Sequence, residues 1–327
     1  MKVTASLPTG VAAVFFDDAR RRRRLEALLV EQLLARGWSE AVLPVLDYLD
    51  PYEETLSGRS RSELYRFIDR GGALLALRAD FTPMLARLIA PRLASLSLPL
   101  RLFYRGDVLR YQEARAGRER ELYQVGGELL GLPGDEAEAG ALRCCLDLLS
   151  AASEQPLRVV IGFAGALDAL LLSHGEQQAG ALMAAVGRRE RQAVRDLPAL
   201  LEVVESGVPG APGVLGAAAA QRLANAQALV ARLARAFPRA TLELDLAEFA
   251  DQALDPALRR HSGPRAYYDG LVFRVFAGRA GLPVAGGGRY DRLFEALGGG
   301  EVTAAGFSIS VDRLAVAARG DVSREQE

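Results

Sequence analysis

The sequence is poor in the residue types that build disulfide frameworks and metal centres. Its 327 residues include two cysteines, Cys144 and Cys145, and two histidines, His174 and His261. Two adjacent cysteines cannot form a disulfide framework, and two isolated histidines lack the spacing of a metal-binding site. We therefore expect no structural disulfide, no metal and no cofactor.

Long apolar runs and an excess of one charge are also missing. No run approaches the roughly 18 apolar residues of a membrane-spanning helix, and the first residues do not resemble a signal peptide. With 40 basic and 41 acidic residues the net charge is −1, so no overall field attracts nucleic acid or a membrane surface. These features predict a cytoplasmic protein that binds neither.

Apolar residues, by contrast, are plentiful: 50% of the chain is hydrophobic, which is enough for a large core. Near the start, Leu25, Leu29 and Leu33 recur at helical spacing. Asp17 is the expected N-cap of that helix, and Gly37 stands where the helix is expected to stop.

The same helix carries five consecutive arginines in its first turns, at residues 20–24. Cations are disfavoured there, because the helix dipole places partial positive charge at the N-terminus. One interpretation is a patch that binds an anion or a partner protein. The other, which we favour, is a solvated helix face.

Hydrophobic patterning predicts that strands surround the helices of this chain. Apolar and polar residues alternate through 41–50, 64–78 and 100–131, with a helix expected from about Pro83. Strands return after about residue 240 and are followed by two short helices. Because strands do not alternate with helices one by one, the pattern favours an α+β fold around an antiparallel sheet.

The middle of the chain has a different composition. Residues 163–238 are rich in alanine and leucine with a helical period, interrupted by the Gly/Pro-rich stretch SGVPGAPGVLG at 206–216. We predict that 163–238 is a helical insertion. It would separate the first part of a core, at 1–162, from the second part, at 239–327.

A loop rich in charge joins two predicted strands, VLRYQEARAGRERELYQ at 108–124. Arg110 near the strand end and Arg118 in the loop could clamp a phosphate, because guanidinium groups are planar donors of several hydrogen bonds. The alternative is ion pairing of these arginines with nearby acids, namely Glu113, Glu119 and Glu121. On the second strand, Gln124 and Glu128 share one face and give the sheet a polar floor.

A glycine-rich motif, VAGGGRYD at 284–291, is superficially similar to a phosphate-binding loop. It lacks the Lys-Ser/Thr pair of a P-loop and does not occupy the strand-to-helix turn of a dinucleotide fingerprint. We favour a strand in which the missing side chains allow another group to approach the backbone closely.

Several motifs follow one another in the order found in class II aminoacyl-tRNA synthetases. LPVLDYLDPYE at 43–53 resembles the first class II motif region, the 108–124 loop the second, and GFSISVDRL at 306–314 the third. LRADFTPMLAR resembles the LRPE-T segment, and AYYDGLVF and GGGRYDRLFEALGG resemble two histidine-specific signatures. From Leu7 to about Ala318 the chain therefore resembles the catalytic core of histidyl-tRNA synthetase. The resemblance implies a class II synthetase-like α+β fold, an antiparallel sheet flanked by helices.

The resemblance also implies that catalytic parts are lost. Gly263 stands where the synthetases place a catalytic arginine, and one preorganised donor of this kind is worth on the order of 10²–10³ in rate. Gln112 replaces a nucleotide-contacting glutamate, and Ser310 replaces a glycine of the third motif. No anticodon-binding domain is expected after the third motif. The family's ATP-binding arginines are matched and imply a vestigial nucleotide site: Arg110, Arg118 and Arg313.

By the same resemblance, the histidine pocket is largely retained. Asp80 and Thr82 match residues near the ligand's α-ammonium group, with Gln124 beside them. The residues that match those around the imidazole are Glu128, Tyr268 and Tyr290. An ammonium group is matched by a carboxylate, and an imidazole N–H by a carboxylate or a phenol. The alternative is a set of ordinary polar residues that line a cleft in the core.

A synthetase-like core that keeps histidine contacts but loses catalytic parts is similar to the regulatory subunits of ATP phosphoribosyltransferase. This resemblance implies a non-catalytic subunit that a short catalytic partner needs in the first step of histidine biosynthesis, with feedback by L-histidine. It also implies a homodimer of this chain within a hetero-octamer that holds four catalytic subunits. Two alternatives stay open: a truncated synthetase that activates histidine with ATP, and a free-standing histidine-binding module.

Overall fold

The computed structural model describes residues 7–50, 62–111, 119–252, 267–278 and 281–318. The described strands are β1 (Ser39–Glu40), β2 (Leu46–Tyr48), β3 (Arg66–Ile68), β4 (Leu74–Leu77), β5 (Leu100–Leu109), β6 (Glu121–Leu130), β7 (Leu157–Phe163), β8 (Ala240–Leu244), β9 (Leu271–Ala277), β10 (Ala285–Arg289) and β11 (Ala304–Ser310). The described helices are α1 (Phe16–Ala35), α2 (Phe81–Ile89), α3 (Glu136–Ala152), α4 (Asp168–Leu172), α5 (Glu176–Gly187), α6 (Arg191–Val194), α7 (Pro198–Ser206), α8 (Ala217–Ala236), α9 (Asp291–Ala296) and α10 (Val311–Ala317). None of the described helices is both long enough and apolar enough to span a membrane.

Eight strands form the central sheet, in the order β1-β5-β6-β11-β10-β9-β7-β8. The six inner strands pair antiparallel, whereas β1 with β5 and β7 with β8 are parallel pairs at the two edges. The α+β class expected from the sequence is confirmed, and the sheet is mixed. The parallel pair of β7 and β8 is possible because the long helical segment between them returns the chain to the same end of the sheet.

The two faces of the sheet have different partners. On β6, Tyr123, Val125 and Leu129 pack into a large apolar cluster with α1, α3 and α10. The alternate residues Leu122 and Leu130 pack into a second cluster, which contains α2 and α9. Successive strand residues point to opposite faces, so the predicted site residues on β6 share the face covered by α2 and α9.

Helices α4 to α8 occupy the chain between β7 and β8. Many of their buried residues, which include Leu171, Val186, Val203 and Leu223, form a separate hydrophobic cluster with the end of β7. The second half of α8 packs into the large cluster through Leu229 and Leu233. The Gly/Pro-rich stretch 206–216 contains a short 3-10 turn between α7 and α8. The helices predicted for this part of the chain are present, and its assignment as an insertion stays a prediction.

The start of α1 differs from the prediction. The helix begins at Phe16 with Phe15 as N-cap, and no side chain caps it. Asp17 lies in the first turn and pairs with Arg20, so its assignment as N-cap was wrong. Gly37 has φ +77° just after the helix, as expected of a residue that ends a helix in the left-handed region.

One residue of the arginine run, Arg22, does not lie on a solvated helix face as expected. The Arg22 guanidinium lies 4.7 Å from the Tyr123 ring centroid, and it pairs with Asp312 at 3.2 Å and Asp107 at 3.3 Å. Its side chain is only 22% exposed, so a solvated helix face is wrong for this residue. Arg22 instead fixes α1 against the sheet and α10, a role that depends on groups distant in the sequence.

A second, three-stranded sheet has the order β2-β4-β3. Its register places Leu46 opposite Leu77, Tyr48 opposite Leu75, and Phe67 opposite Leu75. Directly paired residues share a face, so this face is entirely apolar. Tyr48 is 62% exposed and Leu46 47% exposed. We call these five residues the apolar face of the small sheet.

Candidate functional site

The predicted histidine pocket is built where the start of α2 meets the face of the central sheet. Asp80 is the N-cap of α2, and its Oδ1 accepts a hydrogen bond from Thr82 N at 3.1 Å. The Thr82 Oγ1 then donates to Glu128 Oε1 on β6 at 2.6 Å. Two hydrogen bonds thus link the N-cap residue of α2 to the Glu128 carboxylate on β6 through Thr82.

Glu128 is completely buried. One carboxylate oxygen, Oε1, is satisfied by Thr82, whereas the buried Oε2 has no hydrogen-bond partner among the described residues. The buried hydroxyl of Tyr290 is in the same condition. Both atoms lie over Gly306, since a Cβ added there would overlap the Glu128 carboxylate and the Tyr290 hydroxyl. An unpaired acid and an unpaired phenol therefore face the same small space.

Glycines make that space. The register of the sheet places Gly306 of β11 beside Glu128, and Gly288 of β10 beside Gly306. A Cβ at Gly288 would stand 2.7 Å from the Tyr268 ring. The glycine-rich motif is thus a strand that allows close approach, and this interpretation of 284–291 is confirmed.

Three tyrosine rings form one wall of the pocket. Tyr268 precedes β9 and Tyr290 precedes α9, and their ring centroids are 6.4 Å apart. Tyr267 lies between them, with centroids 4.8 Å from Tyr268 and 5.5 Å from Tyr290. Aromatic rings give an apolar enclosure that raises the strength of any polar contact made inside it.

Burial dominates the electrostatics of the pocket. It raises the pKa of Glu128 to about 8, the neighbouring Asp80 charge adds to that increase, and the Thr82 hydroxyl partly offsets it. Burial likewise raises the pKa of Tyr268 and Tyr104 above the ordinary tyrosine value. The phenols therefore remain hydrogen-bond donors at any physiological pH.

Gln124 lies on the same face of β6 as Glu128 and is buried. It pairs with Gly106 on one side and Ser310 on the other. Four residues along a strand correspond to about 13 Å, so Gln124 stands at the far end of the pocket from Glu128. Of the six predicted histidine-binding residues, five are close together, and Gln124 extends the same surface.

The sequence did not single out Tyr104 or Tyr267. Tyr104 stacks on Phe81 with a centroid distance of 4.3 Å, and its hydroxyl is 3.5 Å from Thr82 Oγ1. Its ring covers Gly126, the residue paired with it across β5 and β6. A glycine inside a buried strand was the available signal, because it implies that a large group lies over the backbone.

The predicted nucleotide arginines are held by protein groups. Arg110 donates through Nε to Ala79 O at 2.7 Å and through Nη2 to Asp80 Oδ2 at 3.2 Å. Arg313 donates to Pro283 O at 3.2 Å, and its Nε lies 3.7 Å from Glu119 Oε2. Arg118, like Gln112 and Gly263, lies outside the described residues.

A separate cavity of about 850 Å³ lies between α3 and α8. None of the predicted site residues lines it. Its carboxylates are used internally: Glu138 accepts from Leu271 N, and Asp269 accepts from the backbone of Asp291 and Arg292. The pocket around Glu128, which has the unpaired polar atoms, is the better candidate site.

Known proteins resemble this chain over most of its length. The family model described as histidyl-tRNA synthetase matches residues 10–314. An ATP phosphoribosyltransferase regulatory subunit from Symbiobacterium thermophilum is 36% identical over 325 residues, which cover 95% of this chain and 79% of that relative. This chain belongs to the family of ATP phosphoribosyltransferase regulatory subunits. Membership confirms the predicted function in histidine biosynthesis, as a regulatory and not a catalytic subunit.

Solved structures share the fold of this family member. A protein from Bacillus halodurans, described as an ATP phosphoribosyltransferase regulatory subunit/histidyl-tRNA synthetase, superposes with a TM-score of 0.80 at 24% identity, over 98% of this chain and 84% of that chain. One chain of an ATP phosphoribosyl transferase complex from Thermotoga maritima gives 0.63 at 19% identity, over 91% of this chain and 98% of that chain. At these identities the likeness establishes the class II synthetase-like fold.

Proposed function

We propose that this regulatory subunit senses L-histidine in the pocket around Glu128 and transmits its occupancy to a catalytic ATP phosphoribosyltransferase subunit. The observation that carries the proposal is the pair of buried, unpaired atoms, Glu128 Oε2 and Tyr290 Oη, inside an aromatic enclosure. Buried polar atoms are costly unless they find a partner. An imidazole ring offers two nitrogen atoms that match this pair.

The other end of the ligand has a counterpart as well. Asp80 is partly exposed at the N-cap of α2, with 34% of its side chain accessible. A carboxylate in this position suits an α-ammonium group through a charge-assisted hydrogen bond. Its present partner, Arg110, offers a guanidinium group that suits the α-carboxylate of the same ligand. A zwitterionic amino acid with an imidazole side chain therefore fits the arrangement from end to end.

We further propose a homodimer that buries the apolar face of the small sheet. This surface has no charged side chain: Leu46, Tyr48 and Phe67 are exposed, and Leu75 and Leu77 are half-buried. An exposed apolar patch of this kind indicates an interface. A two-fold axis brings the same patch of two subunits together, so a second copy supplies a matching apolar surface.

The partner we propose is a short-form catalytic subunit, with four copies of each chain in a hetero-octamer. Family membership supports a complex with the transferase, and the Thermotoga maritima structure is a precedent in which a chain of this fold is part of such a complex. Regulation requires histidine to bind the active and the inhibited assembly with different affinity.

The test is a reconstitution. Phosphoribosyl-ATP formation is measured with the catalytic subunit of the same organism alone, with this chain added, and with histidine added to both. We expect this chain to stimulate the reaction and histidine to reverse the stimulation. A Glu128→Ala chain should still stimulate but should no longer confer histidine inhibition. Stimulation that histidine inhibits equally in the Glu128→Ala complex would place the feedback site elsewhere.

A truncated synthetase makes a different prediction. It would catalyse histidine-dependent exchange of pyrophosphate into ATP without any partner. Arg110 and Arg313, the two nucleotide arginines among the described residues, are held by Asp80 and Glu119, which argues against such activity. Exchange by the purified chain, together with failure to stimulate the transferase, would overturn the proposal.

A further inference from the structure

Resting on the proposed histidine site, we propose that this pocket binds histidine by sharing a single proton between the Glu128 carboxyl group and the imidazole ring. Histidine affinity is then greatest near neutral pH and falls on both the acidic and the alkaline side. Feedback sensitivity would follow the same profile.

Before histidine binds, the pocket holds Glu128 in its protonated form. Glu128 is fully buried, one of its oxygens accepts from Thr82, and the other faces the Tyr290 hydroxyl over Gly306. A buried carboxylate without a cation is strongly disfavoured, so the group holds a proton instead. The pKa of about 8 agrees with this, because Glu128 is then mostly protonated at pH 7.

Polar and charged groups from the neighbouring elements surround Glu128. Asp80 and Thr82 come from the start of α2, and Asp80 is an anion that favours the protonated acid. Tyr104 contributes a hydroxyl from β5, and Tyr290 contributes one from the residue after β10. Tyr267 and Tyr268, which precede β9, also interact electrostatically with Glu128, and burial raises the pKa of both phenols, so they stay neutral. From β11 the contribution is Gly306, which has no side chain to titrate. Arg110 is bound to Asp80 and does not contact Glu128 among the described contacts.

The number of protons that Glu128 and the imidazole hold before binding depends on pH. Free imidazole has a pKa of about 6.5. Between about pH 6.5 and 8, a protonated Glu128 meets a neutral imidazole, and the complex keeps the one proton that the pair already holds. Whether that proton lies on oxygen or on nitrogen, a hydrogen bond joins the two groups. No proton is exchanged with solvent in this range.

Outside that range the count changes. Below about pH 6.5 both the free imidazole and Glu128 are protonated, so binding must release one proton. Above about pH 8 both are deprotonated, so binding must take up one proton. By linkage, well below pH 6.5 the histidine affinity falls by about tenfold for each unit that the pH decreases. Well above pH 8 it falls by about tenfold for each unit that the pH increases.

The test is calorimetric titration of the purified full chain with L-histidine in buffers of different ionisation enthalpy. We expect release of about one proton at pH about 5.5, no net exchange at about 7.2, and uptake of about one proton at about 8.8. Binding of histidine with no proton exchange at any of these pH values would overturn the inference and leave the proposed function intact. No binding at any pH would instead overturn the proposed site.

A variant assigns the alkaline limb to Glu128. Glu128→Gln keeps the shape of the side chain but cannot titrate, so the part of the proton uptake near pH 8.8 that Glu128 contributes should be lost while the release at low pH remains. Titration of the ligand's own α-ammonium affects both proteins equally, so the difference between the two profiles isolates Glu128. Glu190→Gln, at an exposed ion pair with Arg188, is the matched control and should keep both limbs. An alkaline limb that persists undiminished in Glu128→Gln would assign the titration to another group.

Discussion

Gly306 of β11 lies directly beside Glu128 of β6, and a Cβ at position 306 would overlap the carboxylate. We therefore expect Gly306→Ala to displace Glu128 and to abolish histidine binding. Overpacking of this kind typically costs about 1–3 kcal/mol, which chemical denaturation would detect as a lower free energy of unfolding. Gly213→Ala is the control, since a Cβ there meets nothing within 4 Å. Normal histidine affinity in Gly306→Ala would show that Glu128 does not contact the ligand.

The apolar face of the small sheet leads to a prediction about assembly. A charge at Tyr48, which is 62% exposed, would be buried without a partner in the proposed dimer. Tyr48→Asp should therefore give monomers in sedimentation velocity, with an unchanged circular dichroism spectrum. Val214→Asp, at an exposed apolar residue between α7 and α8, should leave the dimer intact. A Tyr48→Asp protein that stays dimeric would remove this face from the interface.

Glu26 anchors α1 through a buried network. Its Oε1 accepts from the Tyr123 hydroxyl at 2.6 Å and from Arg105 at 3.0 Å, and Arg23 pairs with Oε2 at 2.6 Å. Removing the buried carboxylate would leave the Tyr123 hydroxyl without its acceptor, whereas Arg105 keeps its pair with Glu40 and Arg23 is mostly exposed. Glu26→Ala should therefore lower the free energy of unfolding by about 1–3 kcal/mol. An effect as small as that of Glu190→Ala, at an exposed pair, would contradict this.

The same residue predicts a dependence of stability on pH. Burial acts to raise the pKa of Glu26, but the bonds from Tyr123, Arg23 and Arg105 outweigh it and lower the pKa below the usual value. A group with a lowered folded-state pKa stabilises the protein above its unfolded pKa of about 4.3, and this contribution is lost as the pH falls through the folded value. The stability advantage of the natural protein over Glu26→Gln should thus shrink below about pH 4.3. A constant difference down to pH about 3 would exclude this linkage.

Arg313 and Glu119 give a prediction about nucleotides. The Glu119 carboxylate lies 3.7 Å from Arg313 Nε, where it competes with a phosphate for the guanidinium. Replacing it by an uncharged amide, Glu119→Gln, should raise ATP affinity by about three- to tenfold in calorimetry. Adding Arg313→Ala to that variant should remove the gain. Equal ATP affinity in all three proteins would mean that Arg313 no longer contacts nucleotide.

Much of the fold was predictable because it depends on neighbours in the chain. The 3.6-residue period of Leu25, Leu29 and Leu33 specified α1, and composition alone marked the helical segment between β7 and β8. The missing side chains at 286–288 predicted a strand that another group approaches closely, and the Tyr268 ring does so at Gly288. Motif order supplied the family and the six residues predicted to bind histidine, which a local pattern could not have assembled.

Which side chains and strands pair with each other was not predictable, because this pairing depends on which distant segments the fold brings together. Arg22 binds Asp107 and Asp312, and Glu119 faces Arg313 of α10. The parallel pairing at both sheet edges has the same origin, since it depends on where a long connection returns.

The sequence by itself thus determined the secondary structure, the family and the candidate histidine contacts. Only the tertiary structure showed that Glu128 is fully buried beside Gly306, with one oxygen that no described residue pairs. The physical reason is that burial and register are properties of several strands at once. The state of a carboxyl group depends on the water and the charges that those strands exclude or admit.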